Sequence, residues 1–394
     1  MAFQRPTDGQ KLVGKLWDIA ILGGGLGGLS LAVELSASEF SGISVLVLEK
    51  RERYVRDKTW SYWTDQTHRY SHLERRQWSQ WTVSSGSLRH HLTSARYRYA
   101  SLDADAFYKN AVETISASPN VVLQTNAVVD KVQARDQHDS IVTLHTGEAV
   151  RARLVLDARP EPLMAPQGLV QQFVGWEVQV EHDVFNAEEV QLMAFEPDAN
   201  GVHFFYVLPY SARCALVEST WISQASWHPD FDTELREYLT QVVGPHAYAV
   251  GYREHGVLGL QSTNSKPGAP VALGRGGGTL RASTGYAFID TVTHAGQIAQ
   301  SLRDALRADT QTTWLPTGFR RNALDHWMDG IFLGVLEQDW PRASEYFMQL
   351  FGSVGVDDTV AFLTGRATGL QRLRIMRALP VTPFAAAALR RHFS

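Results

Sequence analysis

The 394-residue sequence holds a single cysteine, Cys214, and no close grouping of cysteine with histidine. An internal disulfide is therefore impossible, a reducing compartment suits the chain, and no metal-ligand spacing stands out. His90, His91 and the scattered histidines read as surface or core residues. No run of about eighteen apolar residues occurs, so a membrane-spanning helix is not expected. An excess of one charge is also missing. The 37 Lys and Arg against 41 Asp and Glu leave a net charge of −4, which carries no nucleic-acid footprint. Internal repeats and low-complexity linkers are absent. Residues 1–15 are polar and lack the apolar core of a secretory signal, so a cytoplasmic protein is expected. These absences leave adsorption to a membrane face open and say nothing of oligomeric state. The length allows two or three layers and two domains.

What the chain does have is glycine in a telling place. Residues 17–22 form an apolar run that reads as a buried parallel strand, and Gly23-Gly24-Gly25-Leu26-Gly27-Gly28 follows it. Residues 29–35 read as a helix, and 43–48 as a second strand ending in Glu49. Gly23, Gly25 and Gly28 satisfy G-x-G-x-x-G. The first permits a tight turn, the second lets backbone approach a pyrophosphate, and the third lets the helix pack on the strand. The helix N-terminus offers free N–H groups and partial positive charge to phosphates. Glu49 lies 21 residues after Gly28, where a carboxylate can accept bonds from an adenosine ribose. It would repel a 2′-phosphate, so FAD or NAD fits better than NADP.

Two later segments favour FAD. Residues 152–159 form an apolar strand ending in Asp157-Ala158-Arg159, of the kind that returns to the nucleotide domain in flavin monooxygenase-like folds; taken alone, it reads better as an ordinary core strand with a polar turn. Residues 271–273 run into Gly274-Arg275-Gly276-Gly277-Gly278, then Ser283-Thr284-Gly285-Tyr286 and a helix over 290–306. Such enzymes bring backbone against the flavin here. Many carry Asp where this chain has Arg275, which puts an acidic ribityl contact in doubt.

The expected fold is α/β: a Rossmann-like, discontinuous FAD-binding domain (15–70, 100–165 and 266–310) of the flavin monooxygenase/glutathione reductase type. An antiparallel β-sheet substrate domain (71–99 and 166–265) and a C-terminal helical lobe (311–394) complete it. The alternating residues at 177–180, 190–195, 202–208 and 213–220 supply the sheet. Helical spacing at 327–336, 342–351, 356–363 and 370–378 supplies the lobe. Residues 51–62 read as a polar, aromatic loop, and 103–116 as a helix with Asp103 at its N-cap.

Several segments together resemble bacterial lycopene β-cyclases, flavoproteins that close rings at the ends of a linear carotenoid. They are residues 17–30; Lys58-Thr59-Trp60-Ser61-Tyr62; Gln172-Phe173-Val174-Gly175-Trp176-Glu177; Phe204-Phe205-Tyr206-Val207-Leu208-Pro209; Ala215-Leu216-Val217-Glu218-Ser219-Thr220; Ser283-Thr284-Gly285-Tyr286; and Arg372-Leu373-Arg374-Ile375-Met376 followed by Pro380-Val381-Thr382-Pro383. The resemblance spans nearly the whole chain. The chain departs from it at Ser219, which leaves one acid on that strand where the family has two, at Gln371 where Asp is usual, and in the glycines 276–278.

The resemblance implies an isomerase, an intramolecular lyase that uses reduced FAD, with NAD(P)H as the electron donor and a lipophilic polyene as substrate. An FAD monooxygenase or halogenase, or a polyprenoid reductase, is the alternative. Ring closure needs a proton on a terminal double bond, and a carboxylic acid kept neutral by an apolar pocket can supply it. Glu218 is the expected donor, although alternation alone also permits a half-exposed strand with Glu218 facing water. Glu254 is a second candidate whose polar flanks point to a salt-bridged surface role. The expected cofactor contacts are Gly23, Gly25, Gly28, Glu49, Lys58, Thr59, Asp157, Gly274, Thr284, Gly285 and Tyr286. Trp60, Tyr62, Trp63, Trp176 and Tyr286 are candidates to line a cation's path, though any one of them alone reads as core. Arg366, Arg372, Arg374, Arg377, Arg390 and Arg391, interleaved with Leu370, Leu373, Met376, Leu379 and Phe384, suit either a peripheral contact with the inner face of the cell membrane or a helix packed on the body.

Overall fold

The computed structural model describes residues 14–136, 139–160, 168–244, 247–260, 270–310 and 314–392; most of the polar stretch 1–15 lies outside them. The first segments are β1 (Leu16–Leu22), α1 (Leu26–Leu35), β2 (Val45–Leu48), β3 (Thr59–Thr64), β4 (Arg76–Trp78), β5 (Gln80–Ser85), β6 (Leu88–Thr93), β7 (Arg98–Asp103) and α2 (Ala104–Ser116). Then come β8 (Val121–Gln124), β9 (Val129–Asp136), β10 (Asp139–Leu144), β11 (Ala149–Asp157), β12 (Leu169–Val180), β13 (Glu189–Pro197), β14 (Gly201–Ser211) and β15 (Cys214–Gln224). The remainder comprises α3 (Phe231–Val243), β16 (Tyr248–Gly259), β17 (Val271–Ala272), α4 (Phe288–Arg307), α5 (Ala323–Gln338), α6 (Ala343–Ser353), α7 (Val356–Leu363), α8 (Gly369–Ala378) and α9 (Val381–His392).

Three sheets organise these elements. In the first, β8, β2, β1 and β11 run parallel in that order, β10 and β9 extend it antiparallel, and β17 pairs parallel with the end of β11. Its central strands are apolar along their length because helices cover the sheet. Asp157 is thereby brought level with Leu22, and the Ala158 N–H donates to the Leu22 carbonyl at 2.8 Å. The second sheet has the order β16-β12-β15-β14-β13-β5-β6, and only the β13/β5 pair is parallel. The third, β3-β7-β4, lies between 59 and 103, so the stretch expected to be a loop up to residue 62 becomes a strand at Thr59. Its pairing partners on β7 run from Asp103, opposite Thr59, to Arg98, opposite Thr64, too distant in sequence for local pattern to show.

The lobe α5–α9 packs on the second sheet through one apolar core. Phe347 on α6 meets Phe195 of β13 and Phe332 of α5, each with ring centroids 5.2 Å apart. Each such buried ring contributes roughly 1.5–3 kcal/mol. Asp103 does stand at the start of α2, but its carboxylate turns to Arg56 (3.1 Å) and Arg75 (3.3 Å) rather than capping the helix. Gln371 is explained locally: with Thr368 it forms the capping box of α8, and its amide also reaches Asp358 at 2.8 Å.

Candidate active site

At the end of β1 the chain turns at Gly23, with φ +97°. A Cβ on Gly28 would collide with the Gly23 carbonyl oxygen, so packing dictates that glycine. Gly25 is different. A Cβ there meets nothing within 4 Å, because Gly25 opens on a cavity of about 430 Å³. No side chain caps α1, so its first N–H groups are free for an anion. The turn is a cradle that a side chain at Gly25 would fill.

Glu49 is buried, and both its oxygens hold backbone: Gly24 N–H donates to one at 2.5 Å and Arg51 N–H to the other at 2.8 Å. It therefore braces the glycine turn. Lys58, Thr59, Gly274, Thr284, Gly285 and Tyr286 all line the cavity with Gly25. Asp157 does not; Arg159 grips its carboxylate at 2.9 and 2.6 Å, and it is Arg159 that faces the cavity. Arg275 lines it too, donating to the Val257 carbonyl at 3.2 Å, with no carboxylate partner among the described residues. Burial holds its pKa below the usual guanidinium range.

The far wall of the cavity comes from the second sheet. Glu218, on β15, lines it, and what surface it retains faces the cavity. Burial pushes its pKa well above the usual carboxylate range, and Glu254 pushes it further. Glu254 is 3 % exposed and sits on β16 outside the cavity lining. The strand between them is β12, where Gly175 is level with both acids. A Cβ on Gly175 would lie 2.9 Å from Cγ of Glu218 and 3.1 Å from Cγ of Glu254. The missing side chain is what lets the carboxyls meet. Glu254 also accepts from Thr59 and Tyr252, each at 2.8 Å. The expected surface role for Glu254 is thus overturned. Its polar neighbours Arg253 and His255 alternate outward while Glu254 points in, as period-two geometry requires.

Aromatic rings surround Glu218. The Tyr206 hydroxyl donates to that of Tyr99 at 2.9 Å, and Tyr286 reaches the same oxygen at 3.4 Å. Trp60 and Tyr286 line the cavity as expected, but Tyr62, Trp63 and Trp176 do not. Trp176 packs on the opposite face of the sheet, with Arg253 4.4 Å above its ring. Tyr99, Phe173 and Tyr206 take those places, and alternation within their strands was the signal available for them.

A second cavity, of about 260 Å³, lies within the helical lobe between α5, α6, α8 and α9, and its lining is almost wholly apolar. Leu192, Met193, Ser283, Thr284, Tyr286 and Phe347 line both cavities. The acid chamber therefore adjoins an apolar passage into the lobe.

The sequence profile of the family described as "Lycopene cyclase protein" matches residues 18–389. The chain belongs to this lycopene cyclase family. A lycopene beta-cyclase of Pantoea ananas is 24 % identical over 391 residues, covering 94 % of this chain and 97 % of that one. Among solved structures, a geranylgeranyl bacteriochlorophyll reductase-like protein from Thermoplasma acidophilum superposes with TM-score 0.60 at 12 % identity, over 94 % of this chain and 98 % of its own. The flavin-dependent brominase Bmp2 gives TM-score 0.60 at 13 % identity, over 92 % and 99 %. A mutant of the halogenase PltM in complex with FAD gives 0.54 at 12 %, over 89 % and 78 %. The family fold is thus the Rossmann-type α/β architecture of these flavoproteins. In this lycopene cyclase family member, Ser219 lies on the far side of β15 from the cavity, bonded to Glu234 and His203. The second acid beside Glu218 comes instead from β16. Among the described residues no group of His, Cys, Asp and Glu is arranged to hold a metal, and no helix is long and apolar enough to cross a membrane.

Proposed function

We propose that this chain closes β-type rings at the ends of a linear carotenoid, by acid-initiated cyclisation that is redox-neutral overall. The observation that carries this reading is Glu218: a carboxyl, held by burial well above the usual carboxylate pKa range, that lines an aromatic chamber adjoining an apolar passage. In this reading Glu218 donates its proton to the terminal double bond. The neighbouring double bond attacks the resulting cation and closes a six-membered ring, and a ring proton then leaves to a carboxylate. One proton enters and one departs, so substrate and product have the same mass. The faces of Tyr99, Tyr206 and Phe173 favour the cation, and the chamber excludes water that would trap it.

FAD fits the cradle. Gly23, Gly25 and Gly28 with the start of α1 would receive the pyrophosphate, Glu49 would hold the turn, and Lys58, Thr59, Gly274, Thr284, Gly285 and Tyr286 would border the rest. Asp157 would act only through Arg159. When bound and reduced, with NAD(P)H as donor, the flavin supplies negative charge that offsets that of a carbocation. A polyene substrate dissolves in membranes, and we propose peripheral contact with the inner membrane face through the lobe. Leu370 (71 % exposed), Val381 (74 %) and Leu389 (62 %) support this, as do Arg377 and Arg391 beside them. Other arginines are engaged internally: Arg372 with Asp325 at 2.7 Å, Arg366 with Asp65 at 3.1 Å and Arg374 with Asp358 at 2.6 Å.

The test is anaerobic incubation of the purified protein with reduced FAD and lycopene, followed by mass analysis. An isomeric ringed product supports the reading, and Glu218→Gln should keep its flavin yet lose roughly a hundredfold or more in rate. A product heavier by two hydrogens would establish the reductase alternative, and no product until air, or air with halide, is admitted, followed by one heavier by oxygen or halogen, would establish the oxygenase or halogenase alternative.

A further inference from the structure

Glu254 has no place in the mechanism above, yet the fold goes to some length to bring it behind Glu218. Three strands must be in register, β16-β12-β15, and the middle one must carry glycine at residue 175. Glu254 Oε2 takes two donors, Tyr252 and Thr59. Its other oxygen, Oε1, is buried with no ordinary N–H or O–H donor among the described residues. A buried carboxylate oxygen left without a partner is costly. A protonated Glu218 relieves that cost by donating to Glu254, and two ionised carboxylates this close would repel instead.

We infer that Glu254 is the positioning residue of a carboxyl pair: it holds the Glu218 proton in place between turnovers and exchanges it with solvent through the Tyr252 hydroxyl. The inference rests on the cyclase reading and deepens it. In turnover Glu218 gives its proton to the alkene carbon as the ring C–C bond forms, and the pair is left with no proton. The developing cation then faces two carboxylates rather than one, and the proton lost from the ring cation returns to the pair. Atoms and charge balance, and no electron is transferred. Tyr252 is half-buried: its hydroxyl donates to Glu254 Oε2 at 2.8 Å, and the Arg56 guanidinium lies 3.7 Å from its ring centroid.

The groups around the pair set the sign of the pH dependence. From the segment before β3, Arg56 attracts the negative form of Glu254, but Arg56 is itself engaged by Glu177 of β12 at 2.8 Å and Asp103 of β7 at 3.1 Å. Lys58, on the same segment, is paired with Asp57 at 3.3 Å. Tyr252 on β16, Tyr206 on β14 and Tyr99 on β7 are all pushed to higher pKa by burial, and remain neutral donors. Burial raises Glu254, while hydrogen bonding with Glu218, Tyr252 and Thr59 and the charge of Arg56 pull it back. Glu218 is raised first by burial and then by Glu254, so removing the charge of Glu254 must lower it.

The experiment is the pH–rate profile of Glu254→Gln, with flavin content and substrate KM measured alongside. The expected result is retained flavin, little change in KM, and an alkaline limb displaced to lower pH by about one unit or more, with turnover at neutral pH down about tenfold or more. Glu254→Asp should restore part of the limb. Gly175→Ala, which keeps both acids but wedges them apart, should shift it in the same direction as Glu254→Gln. Infrared spectra supply a readout apart from turnover: a carboxylic-acid carbonyl band that titrates with the alkaline limb, vanishes in Glu218→Gln and titrates at lower pH in Glu254→Gln. A wild-type limb and an unmoved band in Glu254→Gln would overturn the inference while leaving Glu218 as the acid. If Glu254→Gln failed to fold, the same two readouts on Glu254→Asp and Gly175→Ala would decide. Full activity in Glu218→Gln would overturn the cyclase reading itself, a separate outcome.

Discussion

Asp329→Leu should be one of the most damaging single changes outside the chamber. Asp329 sits on α5, 2 % exposed, and meets Arg281, 1 % exposed, from the segment that leads into Ser283 and Thr284. Arg281 Nη2 lies 2.8 Å from Oδ1, its Nε lies 3.1 and 3.2 Å from the two oxygens, and Ser283 donates to Oδ1 at 2.7 Å. Arg281 also donates to the Phe362 carbonyl on α7. This pair ties the loop beside the cradle to the lobe. Removing the carboxylate leaves a buried guanidinium uncompensated, which costs about 3–5 kcal/mol. For a protein of this size that corresponds to roughly 4–6 °C in the melting midpoint. The double variant Arg281→Met/Asp329→Leu removes both charges and refills the space, and should return to within about 1–2 kcal/mol of the parent. Urea and thermal unfolding of the parent, both single variants and the double variant measure this. A single-variant loss under about 1 kcal/mol, or a double variant as damaged as Asp329→Leu, would refute the account of the pair as a buried, desolvated clamp.

Two glycines in one motif should fail differently. Gly25→Val meets open space, so it should fold normally, with unchanged circular dichroism, yet purify without flavin; Gly28→Val collides with the Gly23 carbonyl and should lose about 2 kcal/mol or more of stability in urea unfolding. For the membrane contact, Leu370→Glu/Val381→Glu should reduce cosedimentation with anionic phospholipid vesicles about tenfold or more, since each apolar side chain contributes roughly 1.5–3 kcal/mol when buried in lipid. Unaltered sedimentation would remove the lobe as the contact face.

The parts of this fold legible in the sequence are those whose cause is local. The turn at Gly23–Gly28 is written in six consecutive residues, five of them glycine, between an apolar strand and a helix, and β1, α1 and β2 can be read from it. Asp157 could be placed at a strand end, but its grip by Arg159 depends on rotamers that no pattern encodes. Glu218 was readable only by resemblance, since an acid in an alternating strand is usually a solvated one. Glu254 reads as a surface acid because its partner is 36 residues away and reached across a third strand at Gly175. A glycine in the middle of a twelve-residue strand was the signal, since such a residue marks a close approach. Helix α3 escaped because it interrupts the stretch 166–265 that otherwise reads as antiparallel sheet, and α9 because Pro380 and Pro383 stand at its start.

The six residues common to both cavities stand between the acids and the lobe, so a guest that came in through the lobe would have to pass them. For a rod-shaped guest arriving through the lobe, only the leading tip comes within reach of the acids, while the trailing half stays among the helices or in the bilayer. Such a guest has to withdraw along the route by which it came and turn around before its other tip can be treated. A two-ended product would then be made in two visits, with a half-finished molecule released in between.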